Sequence, residues 1–199
     1  MMKKDFYWKA FFSQSGSEIY EISARIGRFP DAIITNKKPE DMDKINPKLL
    51  EKAFDRFIFI PQKPTVEEYK EAIRRADIIT LHGFLRILPP DVCGRYRIFN
   101  GHPGLITKFP ELKGKDPQKK AWTTHATSPY KFHGHVIHKV VPEVDAGEIV
   151  STKQFYSDNI HAEFNGLDEY IAYLHKLAIE NWVEFVKKQV ILNNTSYAY

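Results

Sequence analysis

Only one cysteine, Cys93, occurs in the 199 residues, so no internal disulfide can form and nothing asks for an oxidising compartment. No stretch approaches the roughly 20 apolar residues of a membrane helix. Internal repeats, low-complexity tracts and an interdomain linker are also missing. The start, Met1-Met2-Lys3-Lys4-Asp5-Phe6, is basic but lacks the apolar run and small-residue cleavage site of a signal peptide. Charge of one sign is scarce as well: 29 Lys and Arg face 25 Asp and Glu, a net of +4. The charges are interspersed except in the lysine-rich stretch Lys113 to Lys120, which does not call for a nucleic-acid partner. These absences leave a cytoplasmic protein with neither nucleic-acid nor membrane partners as the expectation. With 43% hydrophobic residues the chain can bury a full core, and a single domain over 1–199 is expected.

What is present alternates. Tyr7 to Ser13 reads as a buried strand, and Ser13-Gln14-Ser15-Gly16-Ser17 as a turn. Ile19, Ile22 and Ile26 then recur at helical spacing up to Gly27. Further strands are expected at Ala32 to Thr35, Phe57 to Ile60, Ile78 to Leu81 and Arg97 to Asn100. Helices are expected over 47–54 and after Thr65, whose capping-box partner is Glu68. This order predicts an α/β protein with a doubly wound, mostly parallel sheet. After Pro103 the texture changes: 104–133 is loop-rich, with a short helix opening at Lys115-Asp116-Pro117. A C-terminal β-hairpin is expected from His135–Val141 and Glu148–Phe155, then a long helix from Leu167 to Gln189 and a frayed tail at Asn193 to Ser196.

Ligands of doubly wound sheets bind beyond the carboxyl ends of the strands. Ser13–Ser17, His82–Phe84 and Asn100–His102 all fall there. In Asn100-Gly101-His102-Pro103, the Asn amide suits an oxyanion, a nearby His can donate a proton, and Pro103 stiffens the loop. Taken alone, these four residues also read as an ordinary polar turn. Asp145 could orient His102 and raise its pKa, or it could simply bond its own turn. The stretch His125, His133, His135, His138 suggests a metal, but His135 and His138 face opposite ways on a strand and no carboxylate sits at ligand spacing. No metal is expected.

Together the signals are stronger. Gly83-Phe84-Leu85-Arg86-Ile87-Leu88, Asn100-Gly101-His102-Pro103, His138-Lys139-Val140 and Asp145-Ala146-Gly147 occur in order. Thr35-Asn36-Lys37, Gly114-Lys115-Asp116 and His133-Gly134 add to them. This set resembles the folate-dependent formyltransferase family from Phe11 to about Trp182. The resemblance implies a Rossmann-like fold and formyl transfer from formyl-tetrahydrofolate, as cosubstrate, to a primary amine. Asn100, His102 and Asp145 would be catalytic. Arg86, Ile87 and Leu88 with Pro142, Glu143 and Val144 would hold the folate, with Ile87, Leu88 and Val144 as apolar walls. Ser15, Gly16, Ser17 and Glu18 would hold a phosphorylated small-molecule amine, glycinamide ribonucleotide being the best match within the family. An amino sugar nucleotide as acceptor, and a non-catalytic folate or nucleotide binder, are the alternatives.

Three positions depart from the family pattern. Glu18 replaces an Asn in the phosphate loop, Val66 an Arg, and Ala178 a ribose-binding Glu, with Glu180 close by. Lys108 and the Lys113–Lys120 loop are candidates to replace the missing Arg.

Overall fold

A computed structural model describes residues 6–127 and 130–195. Among these, seven strands form one sheet in the order β3-β2-β1-β4-β5-β6-β7. β1 (Trp8–Phe12), β2 (Ala32–Thr35), β3 (Phe57–Phe59), β4 (Ile78–Leu81) and β5 (Ile98–His102) run parallel. Every residue of β2 and of β4 is buried. Such continuous apolar runs are what a strand covered on both faces requires, and helices supply the cover. β6 (Phe132–Lys139) and β7 (Ile149–Tyr156) are antiparallel additions to the edge. β7 shows the alternation of a strand with one wet face.

The helices are α1 (Ser17–Ile26), α2 (Pro47–Ala53), α3 (Val66–Ile73), α4 (Pro90–Cys93), α5 (Pro117–Thr124), α6 (Ile160–Glu163) and α7 (Leu167–Thr195). The capping box of α3 forms as expected: the Glu68 amide donates to Thr65 Oγ1 at 3.2 Å and the Thr65 amide to Glu68 Oε2 at 2.7 Å. α1 stops at Gly27, whose φ of 72° is left-handed. One face of the sheet buries Trp8, Ile78, Phe99 and Ile137 against Ile22 of α1 and Ile179, Trp182 and Phe185 of α7. The opposite face buries Phe11, Ile79 and Leu81 against Tyr69 and Ile73 of α3. Each such large apolar side chain contributes about 1.5–3 kcal/mol when fully buried.

Several boundaries differ from the sequence expectation. β5 continues through Asn100, Gly101 and His102, because beyond Leu81 the strand keeps a partner on its other side, where Asn100 pairs with His138 and His102 with Val136. The hairpin begins at Phe132 rather than His135. α7 runs on through Asn193–Thr195, which the sequence suggested were frayed; Ser196 lies outside the described residues. α4 and α6, at four residues each, are too short to display a helical period, although Pro90 at the first turn of α4 is a start signal. Among the described residues no helix is long and apolar enough to cross a membrane.

The chain order turns back between β1 and β4, and the crevice at their carboxyl ends is where this architecture binds ligands.

Candidate active site

Two cavities flank the end of β5. The first, about 230 Å³, is lined by the loop after β4 (Phe84 to Leu88), by Asn100 and His138, and by 140–145. The second, about 470 Å³, is lined by Gln14 to Glu18, His82, Gly83, Gly101 and Pro103, with Gln118 of α5 and residues of α7. Neighbouring residues of β5 thus look into different cavities, Asn100 into one and Gly101 into the other. A reaction between two molecules, one in each cavity, would take place at this strand end.

The polar side chains form a chain of contacts. Asn100 Nδ2 lies 3.3 Å from His138 Nε2. The same His138 nitrogen is 3.3 Å from Asp145 Oδ1, and Asp145 Oδ2 is 3.3 Å from His102 Nδ1. The Gly114 amide also donates to Oδ2, at 2.9 Å. On the far side of His102, Nε2–H donates to the Leu112 carbonyl at 2.8 Å. Asn100, His102 and Asp145 are therefore brought together, with His138 as the link.

The link through His138 is not legible in the sequence, where this residue stands out only in a histidine-rich stretch and in His138-Lys139-Val140. The available signal was its strand parity, which turns it away from His133 and His135 and toward Asn100. His138 Nδ1 donates to the Lys139 carbonyl at 3.1 Å, so a neutral ring offers Nε2 as an acceptor for the Asn100 amide. A protonated ring would instead donate to Asp145.

Asp145 adopts a left-handed φ of 51°. Such a conformation is strained for a non-glycine residue and persists when its surroundings hold it. Its contacts to His138, His102 and Gly114 do so. The loop returns at Gly147, where a Cβ would lie 1.7 Å from the Lys139 carbonyl oxygen, so only glycine fits there.

Burial would raise the Asp145 pKa, but the bond from His138 in its protonated form, the bond from the Gly114 amide and the field of His102 outweigh it and hold the carboxyl at about 2. His102 corrects an expectation. Burial lowers its pKa, and the opposing pull of Asp145 and Leu112 does not overcome that. Asp145 does pull the pKa up, as expected, but burial outweighs it; with its one N–H on Leu112, the neutral ring can donate Nδ1–H to Asp145 only on taking up a second proton.

The Asp145 shift carries a stability prediction. A depressed carboxyl contributes stability above its unfolded pKa of 3.8, and that contribution is lost as pH falls toward 2. Asp145→Asn should cost about 2 kcal/mol at pH 7 and almost nothing at pH 2. Denaturant melts at the two pH values test this, and an equal loss at both would contradict it.

The expected folate loops both line the first cavity: Arg86, Ile87 and Leu88 on one side, Pro142, Glu143, Val144 and Asp145 on the other. Leu88 is buried core, whereas Ile87 is 75% exposed and Val144 54% exposed. Arg86 turns outward, donating to the Gln62 carbonyl at 3.0 Å and to Gln62 Oε1 at 2.8 Å. Apolar rim side chains and loop backbone are the mix a flat heterocycle would need.

Ser15, Gly16, Ser17 and Glu18 line the second cavity. Gly16, at φ 72°, turns the chain into α1. The loop is braced by Ser15 Oγ and Ser17 Oγ at 2.9 Å and by Asn46 Nδ2 donating to Ser17 Oγ at 3.0 Å. Ala178 lines this cavity, whereas Glu180 is exposed and does not. Val66 packs against the core. Lys108, a candidate for the missing arginine, is committed elsewhere: its Nζ donates to Gln154 Oε1 at 3.0 Å and sits 3.8 Å over the Phe132 ring.

A formyl transferase family model matches residues 32–163, two thirds of the chain, and the chain belongs to that family. A phosphoribosylglycinamide formyltransferase of Dictyostelium discoideum is 34% identical over 85 residues, 39% of this chain and 40% of that relative's length. The chain also resembles the crystal structure of phosphoribosylglycinamide formyltransferase from Anaplasma phagocytophilum, with TM-score 0.74 and 21% identity over 92% of this chain and 86% of that one. The corresponding structure from Campylobacter jejuni gives TM-score 0.73 and 23% identity over 93% and 97%.

Proposed function

We propose that this chain, as one formyltransferase domain, transfers a formyl group from formyl-tetrahydrofolate to the primary amine of a small molecule in the cytoplasm. The observation that carries the reading is the contact chain Asn100–His138–Asp145–His102 at a strand end shared by two cavities. The folate fits the first cavity by its apolar rim. The amine belongs in the second. The names of the similar proteins make glycinamide ribonucleotide the best candidate acceptor. Its phosphate would rest on the amides of Ser15, Gly16 and Ser17 at the start of α1, where aligned N–H groups favour an anion.

In this reaction the amine nitrogen bonds to the formyl carbon, the carbon–nitrogen bond to the folate breaks, and one proton passes from the amine to the departing folate nitrogen. Negative charge gathers on the formyl oxygen meanwhile, and the Asn100 amide donates to it. Asn100 reaches that oxygen by exchanging its bond to His138. Asp145, ionised at neutral pH, orders the water that carries the proton. Once protonated, His102 donates Nδ1–H to the carboxylate, and its Nε2–H reaches the formyl oxygen only when the ring leaves Leu112.

Calorimetry with a non-reactive reduced-folate analogue tests the donor site. Binding should occur without added metal and should protect 84–88 and 140–145 from hydrogen exchange. No heat and no protection there would overturn this assignment.

A further inference from the structure

Glu18 meets the second cavity in an arrangement that the chain order does not suggest. Its Oε1 lies 2.6 Å from Nδ1 of His82, a residue 64 positions away. The His82 side chain is wholly buried, and its Nε2 is 2.8 Å from Thr80 Oγ1, which also accepts the Trp8 indole N–H at 2.9 Å. The ring sits 4.7 Å from that of Trp182. His82 therefore cannot swing away, and it clamps the Glu18 carboxylate at the cavity wall, where the Glu18 side chain is 23% exposed.

The rest of the lining has the same character. It contains Asp168 at the start of α7 but, among the described residues, no lysine or arginine. His175 pairs with Glu21 at 3.3 Å. His135 accepts the Asn181 amide on Nδ1 at 3.1 Å, and burial holds its pKa down at about 4, so it brings no charge at neutral pH. Burial would raise the Glu18 pKa, but the His82 bond outweighs it and the carboxyl stays ionised. A phosphate placed against Glu18 would find repulsion, with no lysine or arginine among the described lining residues to offset it. A hydroxyl would find a charged, fixed acceptor, the stronger kind of hydrogen-bond partner.

We infer that Glu18, clamped by His82, recognises vicinal hydroxyl groups on the sugar of the acceptor amine. The inference rests on reading the second cavity as the acceptor site. It makes Glu18 the specificity-determining residue of that site. Any phosphate on the acceptor is left to the backbone amides before α1, away from the carboxylates.

The test is calorimetry without formyl donor, using glycinamide ribonucleotide and its 2,3-dideoxy analogue as probes. The unmodified protein should bind the diol at least about tenfold more tightly than the dideoxy form. Glu18→Gln, with its melting curve checked, should erase that preference. Overturning results are no preference in the unmodified protein, no binding of either probe, or a preference that survives Glu18→Gln. Because no formyl group is present, a protein that shows the preference yet never transfers a formyl group would refute the proposed reaction and leave this inference standing.

Discussion

Asn100→Ala should lower kcat for amine-dependent tetrahydrofolate release by roughly a hundredfold or more, the usual loss when one donor to a developing oxyanion is removed. KM for either substrate should change far less, because the amide matters when charge appears on the formyl oxygen. Asn100 is half-buried within β5 and lines the donor cavity, so truncation leaves the strand's pairing with β4 and β6 in place. His102→Ala should cost a comparable factor by another route. It frees Asp145 Oδ2 from one of its two partners and opens space behind the loop at the Leu112 carbonyl. Steady-state kinetics on both variants decides this. A kcat within a few-fold of the unmodified protein for Asn100→Ala would remove the oxyanion role.

The second large effect concerns acid. His133 and His135 are buried, and burial holds both near pKa 4, against an ordinary 6.5. Their partners demand the neutral form as well. His133 Nε2–H donates to the Tyr130 carbonyl at 3.0 Å, and its Nδ1 accepts the Tyr170 hydroxyl at 2.8 Å. His135 Nδ1 accepts from Asn181, whose orientation is fixed because its Oδ1 accepts the Ser151 hydroxyl at 2.5 Å.

A histidine with a depressed folded pKa takes up its proton more readily when unfolded. Stability is therefore intact above 6.5 and falls as pH drops from 6.5 to 4. Each residue should account for about 3 kcal/mol across that window. The protein should lose much of its stability by pH 4, earlier than carboxylate titration alone would cause. Urea melts between pH 7 and 4 measure this, and a flat profile across the window would contradict it. His135→Gln should flatten part of the profile.

The parts of the fold legible in the sequence were those set by local pattern. Ala32 to Thr35 and Ile78 to Leu81 could be read because strands covered on both faces must be apolar throughout. Thr65 and Glu68 announced a helix start because capping is a contact over three residues. Pairings between distant segments left no such mark. That β5 continues through His102 depends on β6 lying beside it, and nothing near position 100 records this. The place of Asn100 and His102 followed from the strand ends of a doubly wound chain, whereas Asp145 joined them only through the family resemblance. The role of His138 did not follow, because it needs the register of Asn100 against His138. The clamp on Glu18 was hidden for the same reason. Its partner lies at the end of another strand, and local sequence showed only a carboxylate where a neutral residue was expected. The direction of the His102 shift is not legible in the sequence, because depth of burial, which decides it, is a property of the folded state.

The most direct measurement of the central claim follows a carbon-13 label from the formyl group of formyl-tetrahydrofolate by NMR, in the presence of glycinamide ribonucleotide. The account predicts that the label appears as a formamide on the acceptor nitrogen, with one tetrahydrofolate released per label moved, and that Asn100→Ala slows this at least about a hundredfold. Label that stays on the folate with every amine offered, or that leaves as free formate at a rate indifferent to the amine, would contradict it.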